Sequence, residues 1–206
     1  MAEQVRAIAT RDKIMTSAAQ VFVERGYAGA GLAEIIAGSG MTRGAFYFHF
    51  TSKADMAIAI IDRQHSTWVP LQQTATEQGL QGLDAIRYLI DRVSQQMRDD
   101  VVARAAIKLA RELELIDADV ISPFTDWSSC FGYNLRQAQL LGQMRNDLDP
   151  TTYAGVLVGM FLGVEEFSQS PVNALANKNA NARILNTTHY SLDAMWEMVL
   201  RGLSVR

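Results

Sequence analysis

The sequence predicts an all-α protein, and three observations carry that reading. Apolar residues recur three and four positions apart in nearly every segment, the spacing of one helical face. Residues that open and close helices stand at the segment ends: Thr10, Thr42, Ser52 and Pro123 at starts, Gly26 and Gly38–Gly40 at stops. No stretch alternates apolar and polar residues as a half-buried strand would, and no internal repeat is present.

Taken in order, a first helix is expected over residues 10–25, with Ile14, Ala18, Val21, Phe22 and Arg25 on one face. A short second helix in LAEIIAGSG turns Leu32, Ile35 and Ile36 inward. Its cap position holds Gly31, which permits the cap geometry without a capping side chain. Thr42 caps a third helix by accepting backbone N–H bonds, and Ser52, with Asp55 three residues on, opens a fourth. The fourth continues through Ile58, Ile60 and Ile61 to Trp68, where Pro70 should kink or end it. The stretch QQTATEQGLQG is a polar connection. Periodic segments follow at about 83–98, 100–116 and 123–142, then the apolar DPTTYAGVLVGMFLGVEEFSQS. After Pro171, the asparagine-rich 173–186 reads as a loop or weak helix. A closing helix over 189–203 carries Leu192, Met195, Trp196, Val199 and Leu203 on one stripe.

At 206 residues, 49% of them apolar, the chain has the means to bury a sizeable core. The single cysteine, Cys130, cannot form an internal disulfide, which fits a reducing compartment. The opening MAEQVRAIATRDK carries no apolar signal stretch, and the longest apolar run, Tyr153 to Val164, is too short to cross a bilayer. A cytoplasmic protein without membrane contact is expected. The net charge of −3 hides a small asymmetry: residues 1–53 hold six Lys/Arg against four Asp/Glu, and the remainder thirteen against eighteen.

The stretch TRGAFYFHFTSK concentrates aromatic rings between Arg43 and Lys53. Two short helices joined by a glycine turn form a helix-turn-helix, whose second helix enters the major groove of DNA. Arg43, near its start, suits a bidentate contact with guanine O6 and N7. Thr42 caps the helix, and Gly44 lets the backbone approach closely. Tyr47, one turn on, presents a hydroxyl to a phosphate, while His49 and Lys53 suit further phosphate contacts. Phe46 and Phe50 make an inward pair, and Phe48 is expected to help pack the helix. The competing reading is a small aromatic core plug with incidental surface charge.

GLAEIIAGSGMTRGAFYFHFTSKADM resembles the signature of the TetR family of bacterial transcriptional regulators, with Tyr47, His49, Phe50, Ser52 and Lys53 on its pattern. QVRAIATRDKI, RGAFYFHF and PFTDW together resemble the γ-butyrolactone receptor subgroup. That resemblance implies an arginine-bearing N-terminal arm (Arg6, with Arg11) and a ligand-contacting tryptophan, Trp127. It also implies a repressor that binds a pseudopalindromic operator as a homodimer and is released by a small lactone or furan-like signal. A sensor of antibiotics or other drugs is the alternative. The division expected is a DNA-binding domain over 1–53 and a ligand-binding and dimerisation domain over 54–206.

For the ligand, Gln64, Tyr88, Trp127, Phe131 and Phe161 are the candidate lining, with ordinary core packing as the competing reading. Gly155, Gly159 and Gly163 repeat every four residues and would let a second helix approach closely. With Trp196 they are assigned to the dimer interface, against internal packing. Glu165 and Glu166 read as facing a pocket, a partner or solvent. His49, His65 and His189 show no metal spacing, and no catalytic motif surrounds Cys130, so neither an enzyme nor a metal or other cofactor is expected.

Overall fold

The computed structural model describes residues 2–116, 122–168 and 192–204. Among them are eleven helices and no strand. In chain order these are α1 (Ala2–Gly29), α2 (Leu32–Ser39), α3 (Arg43–His49), α4 (Lys53–His65), α5 (Trp68–Glu77) and α6 (Gly82–Asp99). They continue as α7 (Val101–Arg111), α8 (Leu113–Ile116), α9 (Pro123–Leu140), α10 (Pro150–Ser168) and α11 (Leu192–Leu203). The asparagine-rich stretch 173–186 and the expected start of the closing helix at 189 lie outside the described residues. The chain divides into two compact units, one of Met1–Leu71 with Gln95–Pro123 and the other of Gln72–Ser94 with Phe124–Arg206.

In the first unit α7 packs across α1 and α4, and α2 packs on α1. The core between them holds Ile14, Phe22, Ile35, Phe46, Phe50, Met56, Ile60 and Leu109, all buried. The face read for the first helix is the buried one, except that Arg25 points outward to Glu34 (2.8 Å). That helix begins eight residues earlier than expected. AEQVRAIA contains no helix breaker, and Thr10 does not cap: its hydroxyl donates back to the Arg6 carbonyl four residues earlier (2.9 Å).

The helical path of α1 breaks at Gly26, whose φ of 69° lies in the left-handed region that glycine enters without strain. A break strands backbone groups, and three side chains from elsewhere in the chain take them up. Lys108 of α7 donates to the Val23 carbonyl (2.6 Å), and Glu112, just beyond α7, accepts the Tyr27 N–H (2.6 Å). Lys53, at the start of α4, donates to the carbonyls of Tyr27 (2.8 Å) and Ala30 (3.1 Å), with its ammonium 4.4 Å from the Tyr27 ring centroid.

α4 ends at His65, before the expected proline stop, and Ser66 and Thr67 separate it from α5. Pro70 falls in the first turn of α5, where its missing N–H costs nothing because first-turn donors have no helical partner. Helix-forming Gln, Ala and Glu then carry α5 through the expected polar connection as far as Glu77, with Ala75 buried. In the second unit α10 packs on α11. Asp149 caps α10 by accepting from the Thr152 N–H (2.8 Å), and the Arg145 N–H donates to the Leu203 carbonyl (2.9 Å), tying the α9–α10 loop to the end of α11.

The clamp around Gly26 predicts a specific stability loss. A hydrogen bond to an ionised group contributes about 1.5–3 kcal/mol. Glu112→Ala should lower the unfolding free energy by that amount, read as a lower urea midpoint at unchanged slope. Glu112→Gln, which keeps a carbonyl acceptor, should recover part of it. Equal midpoints for wild type and Glu112→Ala would show that the contact contributes nothing.

Candidate nucleic-acid interface

The turn between α2 and α3 is made by Gly40, with φ 65°, and by Ser39, whose hydroxyl accepts the Met41 N–H (3.2 Å). Thr42 then caps α3 by accepting the Ala45 N–H (3.1 Å), and Ser52 caps α4 by accepting the Asp55 N–H (3.0 Å). The Asp55 carboxylate reaches back one residue further than a standard capping box, to the Thr51 N–H (2.7 Å) and hydroxyl (3.1 Å). These caps fix the start of α3, only seven residues long, and the start of the helix that follows it.

Across α3 the two faces differ sharply. Phe46 and Phe50 are fully buried, their ring centroids 5.9 Å apart, and the Arg11 guanidinium lies 4.9 Å from the Phe50 ring. Arg43, Gly44, Tyr47 and Phe48 form the exposed arc. At Gly44 an added Cβ would meet only the Thr42 hydroxyl, at 3.9 Å, so the backbone there is bare. Tyr47 leans edge-on against Phe46 (5.3 Å) and leaves about half its surface in solvent. His49 is half-buried.

One expectation changes here, and two gain detail. Phe48 does not pack inward: it is 79% exposed, because residues 46 and 50 lie on the core side and residue 48 falls opposite them. Lys53 is engaged by the carbonyls of Tyr27 and Ala30, so it holds the headpiece together as well as lying beside α3. The N-terminal arm is itself helical, and Arg6 is exposed on it. The sequence reading also passed over Lys13, whose ammonium lies 3.9 Å from where a Gly40 side chain would stand. As one charge on an exposed helical face, it carries no signal in sequence.

Of the candidate ligand residues, Gln64 is buried in the first unit and donates to Gln96 (3.0 Å). The other four lie in the second unit. Trp127, Phe131 and Phe161 are buried, and the Trp127 ring sits between Phe161 (5.8 Å) and Phe124 (5.7 Å). Tyr88 is half-buried under the Arg92 guanidinium (5.7 Å). Glu165 is buried and accepts a 2.5 Å hydrogen bond from Ser94, whereas Glu166 is exposed, so the two acidic neighbours part company. A cleft of about 310 Å³ is lined by Gln72, Leu89, Cys130, Tyr133, Asn134 and Gln137, among others. Burial there pushes the Cys130 thiol up, offset in part by side-chain hydrogen bonds with Gln72 and Asn134.

On α10, Gly155 and Gly159 are exposed and Gly163 is half-buried, and a Cβ added at any of them would meet nothing within 4 Å among the described residues. Val156 and Phe167 on α10, with Met198 and Leu200 on α11, are also exposed. Trp196 does not join this surface. It is buried in its own unit, with the Arg87 guanidinium 5.8 Å from its ring, and Arg87 pairs with Asp91 and Asp193. Among the described residues no helix is long and apolar enough to cross a membrane, and no group of His, Cys, Asp and Glu is placed to hold a metal ion.

Residues 14–60 match the bacterial regulatory proteins of the tetR family. The A-factor receptor protein of Streptomyces griseus is 32% identical over 173 residues, which span 82% of this chain and 59% of that relative. Two solved structures are similar over nearly the whole chain. The TetR family protein CprB from Streptomyces coelicolor, in complex with its operator sequence, is 30% identical over 97% of this chain and 90% of its own, with a TM-score of 0.79. A gamma-butyrolactone receptor (ArpA-like protein) is 29% identical over the same shares, also at 0.79. The chain belongs to the TetR family of bacterial regulatory proteins, and it is a regulator rather than an enzyme.

Proposed function

We propose that this protein is a cytoplasmic transcriptional repressor that binds a pseudopalindromic operator as a homodimer and is released by a small lactone or furan-like signal. The observation that carries the reading is the exposed arc of α3, where Arg43, Gly44 and Tyr47 stand over a face locked into the core by Phe46 and Phe50. A helix so fixed presents Arg43 to guanine O6 and N7, while Gly44 lets the backbone close on the groove. Thr42, Tyr47, His49 and Arg6 serve the phosphates, joined by Lys53 through the donor capacity its two carbonyls leave over. In functional terms residues 1–53 are the DNA-binding part, and 54–206 hold the ligand and dimer surfaces.

The signal is assigned to the aromatic cluster of Trp127, Phe131 and Phe161, with Tyr88 as a hydroxyl at its margin. Likeness to a gamma-butyrolactone receptor over most of the chain favours a lactone over a drug. Gln64 takes a different part from the one first assigned to it. α6 runs from Gly82 to Asp99, and Gln96 near its end bonds to Gln64 on α4. A ligand that shifts α6 would move α4, and Lys53 with it, so that ligand and operator oppose one another. The dimer surface is assigned to the open glycine face of α10, with Val156, Met198 and Leu200 as its apolar neighbours.

Three substitutions test these parts separately. On an operator selected from random DNA, Arg43→Ala should cost about 1–3 kcal/mol per half-site and relax the preference at one base pair in each. A mobility shift showing wild-type affinity and selectivity would refute that placement. At Gly159 an added Cβ would meet nothing within 4 Å among the described residues, so Gly159→Leu should fold normally yet raise the dimer dissociation constant more than tenfold, read by sedimentation. An unchanged dimer would move the interface elsewhere. Trp127→Phe keeps a ring in the core but loses the indole N–H, and it should bind operator as wild type does while resisting release by γ-butyrolactones. Release at wild-type concentrations would take Trp127 out of the ligand site.

A further inference from the structure

We infer that Phe48 reads the 5-methyl group of a thymine in each operator half-site, a contact that rests on the proposed DNA-binding function and adds a second specificity determinant beside Arg43. Single exposed apolar side chains are common on protein surfaces and by themselves signify nothing. Phe48 differs in its location. It is 79% exposed on a seven-residue helix, and it shares the exposed arc with Arg43, Gly44 and Tyr47. Gly44 lies one turn before it and brings no side chain, so nothing on that side holds the ring back from a groove wall. The His49 ring meets it edge-on at 5.1 Å and limits its freedom.

The chemistry of the groove then selects the partner. Base edges in the major groove present donors and acceptors throughout, with one apolar projection among the unmodified bases, the thymine 5-methyl. A phenyl ring offers no hydrogen bond, so against any other base edge it would desolvate polar groups without replacing their partners. Arg43 and Phe48 are five residues apart along α3, about 7.5 Å of helix. At ~3.4 Å per base step, this places the thymine about two base pairs from the guanine read by Arg43. The two contacts complement each other, one through charge-assisted hydrogen bonds and one through a methyl.

Replacing thymine by uracil removes the methyl and nothing else, which makes the test selective. The operator is first selected from random DNA with the full-length protein, and each symmetry-related thymine pair is then replaced by uracil. Burying one methyl contributes about fourfold in affinity, so two half-sites together should lose on the order of tenfold. One such pair should show this loss with wild type. Phe48→Ala should bind the thymine operator about tenfold more weakly and be indifferent to uracil at that pair. Its circular dichroism should match wild type, because the side chain lies outside the core. Phe48→Leu, which keeps an apolar tip, should retain part of the discrimination. Sequence-specific wild-type binding that tolerates uracil at every position would overturn the role of Phe48 alone. Equal uracil sensitivity in wild type and Phe48→Ala would overturn it too. A wild-type protein that enriches no sequence would overturn this contact together with the DNA-binding function beneath it.

Discussion

Where α1 breaks at Gly26, four backbone groups within eight residues lie against charged side chains from elsewhere in the chain. Lys108 and Glu112 stand four residues apart at the end of α7, and they approach the break with opposite signs, one for the Val23 carbonyl and one for the Tyr27 N–H. Lys53 completes the set from the start of α4. A backbone group buried without a partner costs about 1–3 kcal/mol, so this corner of the headpiece is stabilised by α4 and α7 together. The recognition helix depends on the same corner. Phe46 and Phe50 insert into a core whose walls are α1, α4 and α7, and the angle of α3 follows from where those walls stand.

This dependence gives α4 and α7 two duties. α7 presents buried Val102, Ala105, Ala106 and Leu109 to the core while its Lys108 reaches the α1 break. Alanines at 105 and 106 allow close helix approach, which brings Lys108 within hydrogen-bonding range of α1. α4 starts with Lys53 in the headpiece and ends beside Gln96, through Gln64. A change in the position of α4 would therefore reach the headpiece through charge-assisted hydrogen bonds, which tolerate little displacement.

Much of this was legible in the sequence. The all-α class followed from periodicity, and the caps at Thr42 and Ser52 followed from residue type, because capping is a local interaction. The burial of Phe46 and Phe50 followed from their spacing. Four features were not legible, each for a physical reason. Phe48 reads as core in composition, but its position on the helix places it outward. Lys53 shows its second role, at the carbonyls of Tyr27 and Ala30, only in the fold, because those bonds join residues more than twenty apart. The start of α1 lies well before Thr10, since a threonine can bond back into a helix as readily as cap one. The apolar stripe of the last helix marked Trp196 as buried, but its contact with Arg87 was not visible, because Arg87 is remote in sequence.

The central claim is that α3 lies in the major groove with Arg43 at a guanine, twice per dimer. Methylation interference tests it most directly, because dimethyl sulfate modifies guanine N7, which faces that groove. On operator selected from random DNA, a strong block should fall on one guanine in each half-site, with the two positions about one helical turn (~34 Å) apart. The block should vanish selectively in Arg43→Ala, which no longer needs that N7. Interference absent from wild-type binding, or confined to adenine N3 in the minor groove, would contradict the placement of α3 and with it the account of how this headpiece meets DNA.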